Sequence, residues 1–146
     1  LVSRNVLFLS VVGGGELFLL GKWIIYLLFG AAYAGSTAPF LWLIPGIVLG
    51  SMSRIISNYF AGIGKPEINT YVAIFLTILN VGLNIALVPI YGVIGAAVAT
   101  TVTYSMNTVV KTIIFSSMNN MSWINFVIIK ISDFEIYKGY IAKILK

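Results

Sequence analysis

The sequence predicts an all-α integral membrane protein with four transmembrane helices, and three observations lead there. Of its 146 residues, 60% are apolar and only 9% are charged, whereas soluble domains carry about 25% charged residues. Residues 23–53 contain no charge, and neither do residues 68–110. Roughly 20 apolar residues cross about 30 Å of hydrocarbon, so the first run holds more than one span's worth and the second holds two. The apolar residues run continuously instead of alternating at every second position, which argues against an outer-membrane barrel. Helices, whose backbone hydrogen bonds close within each segment, are the remaining solution.

The first span is expected at 6–29, after the polar Ser3, Arg4 and Asn5. Arg4 ahead of the apolar Val6 to Val12, with three glycines following, also reads as a signal peptide; Glu16 and the renewed apolar stretch after it fit a continuing span better. Residues 30–36 form a short uncharged turn. The second span, 37–61, contains Pro45, which removes a backbone hydrogen bond and kinks helices; membrane helices tolerate this. Gly62, Gly64 and Pro66 with the charges of Lys65 and Glu67 make 62–67 a polar loop. The third span is expected at 69–88, Pro89 to Gly92 as a hairpin turn, and the fourth span at 93–115.

Residues 119–146 are expected to form a cytoplasmic tail. Trp123 to Ile129 is apolar but too short to cross. From Phe134 onward, Phe134, Tyr137, Ile141, Ile144 and Leu145 recur at helical spacing while Glu135, Lys143 and Lys146 face elsewhere. This pattern suits a helix lying on the cytoplasmic leaflet; a frayed tail is the alternative, since short helices are weak in isolation.

Charge sets the orientation. Nine basic and four acidic residues leave a net +5, and cytoplasmic loops collect Lys and Arg. With four spans, the N-terminus, the 62–67 loop and the tail share one side, and they hold Arg4, Lys65, Lys130, Lys138, Lys143 and Lys146. The opposite loops hold no charge, so both termini are expected in the cytoplasm. The basic groups are dispersed and many flank apolar spans, which makes nucleic acid an improbable partner and membrane lipid the natural one. With no His and no Cys, metal sites of His/Cys type, disulfides, Cys nucleophiles and His-dependent acid–base chemistry drop out. No phosphate loop or metal cluster is recognisable; an enzyme is not expected, and neither is a cofactor.

Two stretches carry a family resemblance: Asn58-Tyr59-Phe60-Ala61-Gly62-Ile63-Gly64-Lys65-Pro66, and Leu79 to Thr100 with its paired Asn80 and Asn84, Pro89-Ile90-Tyr91-Gly92 turn and Gly95-Ala96-Ala97-Val98-Ala99-Thr100 opening. They resemble the C-terminal helices of bacterial polysaccharide flippases, the O-antigen-type repeat-unit transporters of the multidrug/oligosaccharidyl-lipid/polysaccharide exporter superfamily. Leu28-Phe29-Gly30 followed by Tyr33 is similar to the end of the preceding outward helix. The resemblance covers about residues 16–116. It implies a part of a 12- to 14-helix, two-lobed transporter that moves undecaprenyl-diphosphate-linked oligosaccharides to the outer leaflet of the inner membrane by alternating access. The chain corresponds to the last third of such a machine, so a missing N-terminal lobe and other polysaccharide assembly proteins are the implied protein partners. Two alternatives stand beside this reading: a lipid II or multidrug exporter of the same superfamily, and a truncated segment inactive on its own.

Several residues are candidates for function. Intramembrane charges cost about 2.5–3.5 kcal/mol on insertion scales, so each needs a partner or a purpose. Glu16, near the middle of the first span, is the candidate coupling-ion group, with a neutral carboxyl that only fixes packing as its alternative. Lys22 lies on the outward half of that span, where it either faces a cavity and attracts phosphate or snorkels to the surface. Arg54 lies about one and a half turns from the 62–67 loop, and its planar guanidinium suits a diphosphate; the resemblance implies a basic cavity for such head groups. Lys111 is expected to snorkel. Asn80 and Asn84, four apart on one face, either bond neighbouring helices or line a cavity. Gly92 with Ala96, and Gly95 with Ala99, are expected to let another helix approach closely.

Overall fold

The structure, a computed structural model, describes residues 2–119, with side chains from Asn5 onward. The expected tail helix and Arg4's side chain lie outside the described residues. Four α-helices are present: α1, Val2–Phe29; α2, Thr37–Gly62; α3, Glu67–Tyr91; and α4, Val93–Asn119. A short 3-10 helix, Ala31–Ser36, replaces the irregular turn expected between α1 and α2. Each of the four α-helices contains or forms part of a segment long and apolar enough to cross a membrane, and among the described residues there is no strand. Leu27 is 86% exposed and Leu19 78%. Rows of such side chains on the outer faces are untenable in water and natural against lipid. The chain is an all-α membrane protein.

α1 continues without a break through Gly13, Gly14 and Gly15, as a span does. Pro45 sits inside α2, which remains a single helix. The 62–67 loop closes α2 with backbone bonds from Gly64 N–H to the Ala61 carbonyl at 3.1 Å and from Lys65 N–H to the Phe60 carbonyl at 2.9 Å. Gly64 takes φ +74° there, the left-handed end conformation that glycine adopts without penalty.

Two expectations need correction at the second hairpin. Pro89, Ile90 and Tyr91 belong to the last turn of α3, not to the connection. Gly92 alone makes the reversal, at φ +58°, with its N–H donated to the Val88 carbonyl at 2.8 Å. Proline lacks only its own N–H and is exposed here, so the helix absorbs it. Gly92 is therefore a turn residue instead of half of a packing pair with Ala96. The Gly95/Ala99 pair does pack: both are buried, and Gly95 lies so close to the Leu87 carbonyl that a Cβ has no room.

The helices pack in the order α1, α2, α4, α3. α4 packs between α2 and α3, α1 packs on α2, and α2 meets α3 only slightly although α3 follows it in the chain. The α2/α4 interface contains a buried apolar cluster, Met52, Ile56, Phe60 and Phe115, flanked by Tyr59, Ile68 and Ile114. Tyr59 meets Phe115 edge-on with ring centroids 4.7 Å apart, a geometry that sets the positive rim of one ring against the other's face. Higher up, Gly46 lets the backbones approach closely, since a methyl group there would lie 2.7 Å from Thr101 Cα.

Candidate functional site: a basic cleft between α1, α2 and α4

α1 and α4 each take one side of α2 and leave a strip between them open. On that strip Ile47, Gly50, Arg54 and Ser57 recur at spacings of three, four and three, which keeps them on one face of the helix. α1 forms one wall with Ser10, Gly13, Gly14 and Leu17, and α4 the other with Tyr104, Asn107 and Lys111. The resulting cleft has a volume of about 560 Å³. It is polar for a space between membrane helices, with Ser51, Ser53 and Ser57 along its floor.

The polar lining follows from how α2 and α4 are joined. Lys111 is 7% exposed, and its Nζ donates to Ser57 Oγ at 2.6 Å. The Ser57 hydroxyl in turn donates to the Ser53 carbonyl at 2.8 Å. One turn along, Asn107 Nδ2 donates to Ser53 Oγ at 3.3 Å, and that hydroxyl donates to the Gly50 carbonyl at 2.9 Å. Thr108 Oγ1 donates to the Leu49 carbonyl at 2.7 Å, Thr101 Oγ1 to the Trp42 carbonyl, and Tyr59 Oη to Asn119 Oδ1 at 2.7 Å. Hydroxyls that would otherwise bond only their own helix thus bridge to the next, which is how polar side chains hold membrane helices together.

Lys111 corrects an expectation. Its ammonium does not reach toward the helix end as a snorkelling lysine does; it turns sideways into α2, because Ser57 offers an acceptor at the same level. Arg54 is exposed along the cleft. Among the described residues lining this space are two cations and no carboxylate. Two buried amide oxygens, Asn69 Oδ1 and Asn107 Oδ1, have no protein partner. The Asn69 amide reaches the same polar seam, since its Nδ2 donates to the Ser57 carbonyl at 3.0 Å. Such a site attracts an anion with ionic hydrogen bonds from Arg54 and Lys111, and offers hydroxyls and amides to hydroxyl-rich groups.

Of the residues singled out from the sequence as path or coupling candidates, Arg54 alone lines this cleft, joined there by Lys111, which was expected only to snorkel. Asn80 and Asn84 lie on the α3/α4 side. Asn80 Nδ2 donates to Thr103 Oγ1 at 3.1 Å, and Asn84 Nδ2 donates to the Asn80 carbonyl at 2.8 Å and to Asn80 Oδ1 at 3.0 Å. Asn80 bonds the neighbouring helix α4, whereas Asn84 bonds back to Asn80 within α3. Glu16 is exposed, roughly 200° around α1 from the α2-facing Gly14. Lys22 is exposed as well and lies outside the cleft. Among the described residues, no cluster of His, Cys, Asp or Glu is able to hold a metal.

Asn107, Ser53 and Ser57 were not singled out from the sequence, and Lys111 was noted only as a snorkelling charge. A signal was present: Ser53 and Ser57, like Asn107 and Lys111, are four apart. Each pair makes a polar stripe on an otherwise apolar helix, and two such stripes call for each other.

The fold and the cleft together define a class, an α-helical membrane protein with a basic polar site within its spans. No family model matches the chain, and no solved structure matches it. It is similar to the probable low-salt glycan biosynthesis flippase Agl15 of Haloferax volcanii, with 28% identity over 94 residues. That match takes in 64% of this chain and 20% of the relative's length.

Proposed function

We propose that the chain forms the four-helix C-terminal part of a glycan-lipid flippase, with the α1/α2/α4 cleft on the path of the lipid-linked head group. The observation that carries this reading is the presence of Arg54 and Lys111, with no carboxylate among the described lining residues, in a cleft between predominantly apolar helices. A diphosphate bearing a sugar chain is poorly soluble in hydrocarbon because its charge loses its hydration. Two cations lower that barrier, and the serines and Asn107 supply partners for sugar hydroxyls. The glycan-flippase name of the similar haloarchaeal protein supports the same class.

In its fullest form, the substrate is an undecaprenyl-diphosphate-linked oligosaccharide repeat unit for O-antigen or capsule. The membrane is a bacterial cytoplasmic membrane, with both termini on the cytoplasmic side. The charge-free loops at 30–36 and at Gly92, against Lys65 on the opposite side, support this orientation. No bond is made or broken; the head group passes between leaflets as the cleft changes its exposure. The remaining helices of the transporter and other polysaccharide assembly proteins are the protein partners. Glu16, which does not line the cleft, serves as the coupling-ion group, and Lys22 draws the released phosphate outward.

The test is complementation of a flippase-deficient strain by the chain co-expressed with the helices that complete the transporter, with membrane levels of the chain checked by blot. Restored surface polysaccharide that is lost in Arg54→Ala and partly kept in Arg54→Lys is the expected result. Restoration that is equal for wild type and both variants removes Arg54 from the path.

A further inference from the structure

The two walls of the cleft are held to its floor by different forces. Across α2/α4, five side-chain hydrogen bonds run from Trp42/Thr101 at one end to Tyr59/Asn119 at the other. α3 is tied to this pair through Asn80–Thr103 and Asn69–Ser57. Among the described residues, no side-chain hydrogen bond joins α1 to α2; the contact is made by glycines seated against apolar side chains. Gly14 lies against Val48, and a methyl group at Gly21 would come within 2.6 Å of the Phe40 ring.

The difference matters in lipid, where apolar surface gains nothing by leaving the solvent. There, interhelical hydrogen bonds add a directional attraction that apolar contact does not. Sliding α4 along α2 breaks several directional bonds at once and strands their buried donors. Rocking α1 over Gly14 and Gly21 exchanges one set of dispersion contacts for another, each individually small.

We propose that α1 is the moving wall of the cleft and that α2, α4 and α3 form the rigid frame against which it moves. Motion of α1 changes the width of the cleft between Ser10 and Lys111, so the helix meters what enters the space beside Arg54. This inference comes from the packing alone and stands whether or not the cleft carries a glycan lipid.

The chain has no cysteine, so spin labels can be placed without background. Leu9→Cys with Met118→Cys reports α1 against α4, and Asn58→Cys with Met118→Cys reports α2 against α4. Pulsed electron–electron distance measurements on the full 146-residue chain in nanodiscs are expected to give an α1–α4 distribution roughly twice as wide as the α2–α4 one, or with two maxima. Adding Ser53→Ala, Ser57→Ala, Tyr59→Phe, Thr101→Val and Thr108→Val, which together remove the five bonds, to the α2–α4 pair is expected to widen it toward the α1–α4 width. Equal widths for the two pairs in the parent chain overturn the proposal. So does an α2–α4 distribution that stays unchanged when its bonds are removed, because the frame would then owe its rigidity to something else.

Discussion

Lys111 Nζ and Ser57 Oγ lie 2.6 Å apart across the α2/α4 interface, and this contact determines which way a membrane-buried ammonium points. It keeps the charge level with Arg54's helix face instead of letting it climb to the helix end. Removing the acceptor and removing the cation therefore have opposite consequences for stability. Ser57→Ala leaves the ammonium buried without this acceptor and is expected to cost about 1–3 kcal/mol. Lys111→Met replaces the charge with an apolar chain of similar length and is expected to leave stability unchanged or raised. Unfolding in mixed detergent micelles, followed by far-ultraviolet circular dichroism, measures both.

Glycines separate the sites of tight packing from the free ones. A methyl group at Gly46 would meet the backbone of Thr101 at 2.7 Å, whereas nothing lies within 4 Å of one at Gly13. Gly46→Ala is expected to destabilise the chain by about 1–3 kcal/mol through forced separation of α2 and α4. Gly13→Ala is expected to change stability by no more than about 0.5 kcal/mol. The same unfolding assay ranks the two, and a Gly46→Ala chain as stable as wild type would contradict the close α2/α4 approach.

Asn80 and Arg54 are expected to fail differently. Asn80→Ala removes the bond to Thr103 and should cost about 0.6–2 kcal/mol while leaving head-group binding intact. Arg54→Ala should leave stability intact and remove binding. Parallel measurement of unfolding and of undecaprenyl diphosphate binding separates a helix-bonding residue from a path residue.

The spans were legible in the sequence because their signal is local: length, apolarity and charge-free runs fix four helices without reference to their neighbours. Pro89 was misread as a turn because proline's local preference is weaker than the helix around it, and only Gly92 has the backbone freedom to reverse the chain. Arg54 was legible as a costly intramembrane charge. Lys111 was legible as a charge but not as a cleft residue, because that role depends on α4 lying beside α2. Short connections suggest that consecutive helices are neighbours, yet α3 hardly touches α2, and α4 takes that place. The cleft is a product of this spatial order, which the spacing of residues along one helix does not contain.

Glu16 tests the coupling expectation independently of the cleft. Its position outside the cleft lining predicts that Glu16→Gln lowers transport of the lipid-linked oligosaccharide in proteoliposomes without changing head-group binding. Unchanged transport at normal expression would remove the coupling role, and weakened binding would mean that Glu16 acts on the cleft after all.

The most direct measurement is native mass spectrometry of the chain in nanodiscs with undecaprenyl diphosphate and undecaprenol in competition. The wild-type chain is predicted to retain the diphosphate lipid in preference to the alcohol, and the Arg54→Ala/Lys111→Met chain is predicted to lose that preference while remaining folded. A wild-type chain that does not distinguish the two lipids, or a double variant that distinguishes them as well as wild type, would contradict the basic cleft as the head-group site.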